Sequence, residues 1–383
     1  MIQLSVPSFK GNEWKYVKEC IDTEWVSSAG KYVELFEQNI AKYTGSKYAV
    51  ACVNGTSALQ VSLRLAGVLP GDEVIVPTLT FIAPVNAVAY NGANPVFMDV
   101  DQLYNLDVDK TIEFIQTATV FKNGKTYNKQ TDKCISAIMP VHMWGNAVWL
   151  DDLVLVCEDR NIVIVEDASE SLGSIYNRGN YKKYHTGTIG KLGCLSFNGN
   201  KIITTGGGGM ILTNDQQLAD KACYLTTQAK NDPVRYIHDE IGYNFRLTNI
   251  QAALGVAQLE QLPKFLEQKI KIYKQYVKEL KAVEGLTIAT VPDYADNNYW
   301  MILLQINKKH YGENREELML RLNENNIQTR PAWSPIHLQK PYYDCQSYKI
   351  EKSIELINNS LCIPSSTNLS KKDIQKVIKH LNG

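Results

Sequence analysis

Three short stretches place reactive side chains at the ends of apolar runs. In LSFNGNKIITTGGGGMILT, residues 195–213, Ser196, Asn198 and Lys201 fall within six positions, and four glycines follow between two strand-like runs. Glycines allow close backbone approach and positive φ, so a lysine held there would be partly desolvated, as an amine nucleophile must be. In IVIVEDASESLG, Asp167 ends a continuous apolar run, and an ionised carboxylate at such a place is costly unless a cation faces it. In VNGTSAL, residues 53–59, a run ends at Gly55 and a helix starts with the hydroxyls of Thr56 and Ser57. Free N–H groups and the positive helix end make that turn an anion site. Taken singly each stretch has a plainer reading: a helix cap for Thr56, Ser57 or Asp167, and a surface turn for Lys201.

Together they supply an anion cradle for a phosphate, a carboxylate for a ring cation and an amine for an aldehyde, which is what pyridoxal phosphate demands. Rival nucleotide motifs are missing. The glycines follow the lysine instead of preceding it as in a phosphate-binding loop, and no G-x-G-x-x-G opens the first run. Lysine plus arginine and aspartate plus glutamate both number 40, so there is no net field to hold nucleic acid or an anionic bilayer. No stretch of about 18 uninterrupted apolar residues exists to span a membrane. The N-terminus shows no basic segment leading into an apolar one, so a cytoplasmic location is expected. Eight cysteines without a Cys-x-x-Cys pair read as reduced thiols rather than a zinc or disulfide framework.

The elements that must position these side chains follow from periodicity. At 383 residues, 44% of them hydrophobic, the chain can bury more than one core. Tyr32, Val33, Leu35, Phe36 and Ile40 recur at helical spacing over 31–43. From 47 to about 213, short apolar runs (48–53, 73–77, 95–100, 135–141, 162–165, 194–197 and 210–213) alternate with helical stretches. That alternation predicts an α/β fold with a mainly parallel, seven-stranded sheet between helices. A long helical zone over about 247–283 leads into a smaller α+β unit, with strands at 287–290 and 300–306 and helices near 313–325 and from 371. The expected division is a large domain over 1–252 and a spine helix plus small domain over 253–383. In such open sheets ligands sit beyond the carboxyl ends of the strands, where all three stretches fall.

The segments WVSSAGKYVELFE, NGTSAL, PGDEVIVPTLTFIAPVNAV, GANPVFMDVD, VHMWGN, EDASESLG, SFNGNKIITTGGGGM, GYNFRLTNIQAALG and RPAWSPIHLQKPY make the chain resemble, almost end to end, the DegT/DnrJ/StrS family of nucleotide-sugar aminotransferases, fold-type I pyridoxal-phosphate enzymes. The resemblance implies that Lys201 forms the Schiff base with the cofactor and moves protons between it and the sugar carbon, that Asp167 pairs with the pyridine nitrogen, and that Phe81 stacks on the ring. Gly55, Thr56, Ser57 and Ser196 would hold the phosphate, with Asn198 beside the lysine. It also implies a homodimer with shared active sites, in which Asn244 or Arg246 reaches the neighbouring copy's phosphate. Ser27, Ser28, Arg330 and His337 would contact substrate. Near the ring hydroxyl of the cofactor, where many relatives carry Gln or His, this chain would place Glu170, so that carboxyl must be protonated or paired, and Asn198-Gly199-Asn200 stands where many have His-Pro.

What the resemblance implies is transfer of an amino group from L-glutamate, through pyridoxamine phosphate, to C4 of a nucleotide-linked 4-keto-6-deoxyhexose for a bacterial surface glycan such as O-antigen or capsule. The first expectation is UDP-2-acetamido-2,6-dideoxy-4-ketohexose. The alternatives are GDP-4-keto-6-deoxymannose, on the route to perosamine, and dTDP-4-keto-6-deoxyglucose. A dehydratase of the same fold would carry histidine at position 201, and a cofactor-binding regulator would need a DNA-binding appendage that is not apparent here.

Overall fold

A computed structural model describes residues 1–232 and 234–382. The seven expected runs form β1 (Tyr48–Cys52), β2 (Glu73–Pro77), β3 (Asn94–Met98), β4 (Ile135–Ile138), β5 (Val163–Asp167), β6 (Leu192–Ser196) and β7 (Gly209–Thr213). They lie in one sheet in the order β1-β7-β6-β5-β4-β2-β3. Strand β7 runs against both its neighbours and the remaining pairs are parallel. Every residue of β2 and β7 is buried, as continuous apolar strands covered on both faces must be. On one face Leu59, Val61, Val88 and Leu225 pack from helices Gly55–Leu65, Ile82–Tyr90 and Gln216–Thr226. The other face is covered by helix Lys31–Thr44, through Tyr32, Val33, Phe36 and Ile40, and by Val108–Thr117 and Asp151–Asp159. Helix Lys31–Thr44 stops at Gly45, whose φ of 79° is the left-handed conformation that ends a helix.

The long helix Asn249–Leu280 is capped by Thr248, whose side chain accepts from Gln251 N–H, and the boundary expected at 252 falls in its first turn. Beyond it, Leu286–Ile288, Ile302–Ile306, Ser360–Ile363 and Arg330–Pro331 form a four-stranded antiparallel sheet in that order. Helices Arg315–Glu324 and Lys371–Leu381, each opened by a capping box, cover it.

One feature departs from the seven-strand expectation. Ser347–Tyr348 adds an eighth strand, parallel to β3, at the edge of the large sheet. The anchor is Asp99, just beyond β3. Its carboxylate accepts from the N–H groups of Glu351, Lys352 and Ser353 and from Lys110 Nζ. The C-terminal third therefore returns to the large sheet, a long-range contact that no local pattern announces.

Candidate active site

The carboxyl ends of β1, β2, β5 and β6 and the leading edge of the small sheet enclose a cavity of ≈ 370 Å³. Asp167 closes β5 and is buried. Its Oδ1 accepts from Ser169 N–H at 2.9 Å, a local turn and not the start of a helix. Burial pushes its carboxyl above the usual range, against the opposing pull of Ser169 and Lys201. No ion pair satisfies it among the described residues, so Asp167 is an acid waiting for a cation. Glu170, equally buried, accepts Trp144 N–H at 2.8 Å and faces Lys201 Nζ at 3.4 Å. Burial raises this carboxyl too; Lys201 draws it down and Asp167 pushes it up.

Lys201 sits in the turn after β6, its side chain 13% exposed. Its Nζ lies 3.9 Å from the centre of the Trp300 ring. Across the cavity, helix Gly55–Leu65 is capped by Asn54, whose Oδ1 accepts from Ser57 N–H at 2.8 Å. The cap is thus neither Thr56 nor Ser57, and Thr56 lines the cavity in the first turn. Gly55 is required by proximity: a Cβ there would stand 2.9 Å from Ser196 Cβ. Gly209 of the glycine run is tighter, since its Cβ would meet the Asn54 backbone at 2.5 Å. These two contacts bring the helix start beside the lysine turn.

The structure brings together Gly55, Thr56, Phe81, Asp167, Glu170, Ser196, Asn198, Lys201 and Arg330. Phe81 is 53% exposed, so it is a wall of the cavity and not ordinary core, edge-on to Trp333. Arg330 donates to its neighbour's carbonyl, Thr329 O, and forms no ion pair among the described residues. Ser57 is buried behind the cap. His337 lies off the cavity, its Nδ1 2.5 Å from Thr78 Oγ1, and burial lowers its pKa; it ties the C-terminal segment to the end of β2. Ser27 and Ser28 are exposed, with Ser27 O accepting from Asn249 N–H. Asn244 is exposed, bridged to Thr227. Arg246 is held by both oxygens of Glu37, at 2.5 and 3.0 Å, away from this cavity.

Sequence reasoning missed the tryptophans. Trp144, with φ of 52°, strains the backbone to aim its N–H at Glu170. Its ring packs on Tyr104 and Trp333. Trp144 and Trp333 lie inside the motifs already singled out, VHMWGN and RPAWSP, whereas Trp300 carried no local signal. Beneath them, His142 Nδ1 accepts from Val148 N–H, so its Nε2–H donates to Glu166 at 2.8 Å. Burial opposes ionisation of Glu166, but His142 and the N–H groups of Gly190 and Gly187 hold its carboxyl down. This pair braces the loop that presents Trp144.

A sequence profile described as the DegT/DnrJ/EryC1/StrS aminotransferase family matches residues 7–382. The GDP-perosamine synthase of Caulobacter vibrioides is 37% identical over 383 residues, covering 100% of this chain and 97% of that protein. The GDP-perosamine synthase of Escherichia coli O157:H7 is 37% identical over 376 residues, covering 98% and 96%. Among solved structures, the aminotransferase TlmJ from Streptoalloteichus hindustanus superposes with a TM-score of 0.88 at 26% identity, covering 100% of this chain and 98% of that one.

Proposed function

The chain belongs to the DegT/DnrJ/EryC1/StrS aminotransferase family, and from that membership we propose that it aminates C4 of a GDP-linked 4-keto-6-deoxyhexose, forming GDP-perosamine with L-glutamate as donor. The observation that carries the aminotransferase reading is a nearly buried amine, Lys201, sharing one cavity with an unpaired buried acid, Asp167. For the sugar, the support is two near-full-length relatives named for GDP-perosamine. They favour the guanosine alternative over the UDP-2-acetamido sugar placed first on motifs alone.

The family's cofactor, pyridoxal 5′-phosphate, fits the residues present. Asp167 would face the pyridine nitrogen, and the N-terminal turn at Gly55 and Thr56, with Ser196, would take the phosphate, whereas Ser57, buried with its N–H bonded to Asn54, would not. Phe81 would cover the ring, and Lys201 would meet the aldehyde carbon, with Asn198 alongside. When bound, the cofactor supplies an electron sink through which an amino group passes from glutamate to the ketone. Asp167 would keep the ring nitrogen protonated, because its own buried charge is favourable only with a cation against it. Lys201 Nζ accepts and returns the proton at the reacting carbon, as general base and then acid. Trp144, Trp333 and Phe81 exclude water on the open side, and Arg330 offers a fork to the diphosphate at the mouth.

Ser27, Ser28 and Asn244, exposed outside this cavity, would serve the cavity of a second copy in a homodimer, whereas Arg246, held by Glu37, would not reach it. The large exposed apolar side chains Trp14, Ile21, Trp25 and Val26, and Tyr236, Ile237 and Ile241, support such an assembly. Among the described residues no helix is long and apolar enough to cross a membrane.

The test is a panel of GDP-, UDP-2-acetamido- and dTDP-4-keto-6-deoxy sugars with glutamate, products read by mass and NMR. We expect a 4-amino product from the GDP sugar at a kcat/KM at least about tenfold above the others. A preference for the UDP-2-acetamido sugar would restore the first expectation, and a 3-deoxy product would indicate a dehydratase.

A further inference from the structure

Two buried carboxylates flank one amine, and the amine is not against the acid that the ring nitrogen needs. Lys201 Nζ is 3.4 Å from Glu170 and over the face of Trp300, while Asp167 is left for another cation. An ammonium this enclosed must be paired, and a carboxylate with an indole face is such a pairing.

Trp300 is buried and fixed at every polar atom. Its Nε1 donates to Asn200 O at 2.7 Å, beside Lys201, and its N–H donates to Asn298 Oδ1 at 2.9 Å. Its carbonyl accepts from Ser365 Oγ at 3.0 Å and from Lys269 Nζ at 2.8 Å. Asn298 also donates to Glu170 O and Leu172 O at 2.8 and 2.9 Å, so one buried amide sets the spacing between Trp300 and Glu170. Lys269 is otherwise unexplained. It is a fully buried lysine on helix Asn249–Leu280, paired with no acid among the described residues, and burial alone pushes its amine down to about 7. A fold keeps so costly a group where the position of what it holds matters.

We propose that Trp300 and Glu170 form a berth for the Lys201 ammonium during the part of the cycle in which its nitrogen is not bonded to the cofactor, with Asn298 and Lys269 as the residues that position Trp300. The berth keeps the amine beside the reacting carbon and away from Asp167, so that the two acids do not compete for one cation. It rests on the aminotransferase reading and goes beyond it by assigning Glu170, Trp300, Asn298 and Lys269.

The test uses the holoenzyme driven by glutamate into its amino-carrying form, with Lys201 released. Acetic anhydride at limiting concentration labels the free amine, and peptide mapping gives the rate at Lys201 relative to exposed lysines. In the wild type labelling is slow. In Trp300→Leu and Glu170→Gln it rises about tenfold, the size of a desolvated cation–π or ion pairing. Trp300→Phe, with a smaller π-face, falls between, and Lys269→Met shifts in the same direction as Trp300→Leu. Glu170→Gln separates pairing from access, because it removes charge without opening the wall. Wild-type labelling rates in Glu170→Gln and Trp300→Phe overturn the berth, and these two also decide if Trp300→Leu does not fold. Failure of glutamate to change the cofactor spectrum of the wild type would instead remove the aminotransferase reading.

Discussion

At the scale of single residues, the proposed chemistry turns on how two acids and one amine are shared. Lys201→Ala is expected to abolish the glutamate-driven shift of the cofactor absorption band, read by a spectrophotometric titration. Asp167→Asn should act in opposite directions on two observables. In the cofactor-free protein the buried Asp167 carboxyl is raised, so ionising it costs stability once the pH exceeds its unfolded value near 4. The asparagine variant without cofactor should therefore melt higher than wild type at pH 7, by calorimetry, while its turnover with cofactor falls at least about 10²-fold. A lower melting temperature would show that Asp167 already has a cation in the empty protein. The types of these residues and their places at strand ends were legible in EDASESLG and SFNGNK. The partner of Glu170 was not, because the Lys201 contact and the strained N–H of Trp144 come from turns 31 and 26 residues away.

At the scale of elements, the end of the cavity proposed to take the phosphate depends on a helix start pressed against a neighbouring turn. Gly55→Ala must displace Ser196, whose Cβ would be 2.9 Å from the new methyl group. We expect cofactor affinity to fall about tenfold or more by fluorescence titration, since overpacking typically costs about 1–3 kcal/mol. Asn54→Ala should lower stability by about 1 kcal/mol through loss of the cap. The strands themselves were readable because a two-face-covered strand needs an unbroken apolar run. The hairpin Thr119–Lys122/Lys125–Asn128 and the closing strand Ser360–Ile363 were not anticipated. The hairpin is largely exposed, so its residues carry no such run, and the four-residue SLCI is too short to signal itself.

At the scale of the whole molecule, Asp99 joins the C-terminal third to the large sheet. Burial would raise its carboxyl, but Lys110 and the N–H groups of Lys352, Glu351 and Ser353 more than offset this and hold it at about 2. A depressed carboxyl contributes its stability, here about 2 kcal/mol, above the unfolded value near 4, and loses it as the pH falls from there towards 2. Urea unfolding between pH 6 and pH 3 should show about half of that loss, the rest following towards pH 2, and Asp99→Asn should flatten the slope and lower stability at pH 7. Light scattering is expected to return twice the mass of one chain if the exposed tryptophans at positions 14 and 25 lie in a homodimer. The amino-acid order by itself determined the alternation of buried strands and helices, the close glycine turns and the kinds of side chain at each strand end, because these depend on neighbours a few residues apart. Only the tertiary structure decided that Trp300, 99 positions after Lys201, covers its amine, that Arg246 is held by Glu37, and that the last third returns to β3. Such pairings depend on which distant surfaces meet when the cores are buried, and spacing along the chain does not encode that.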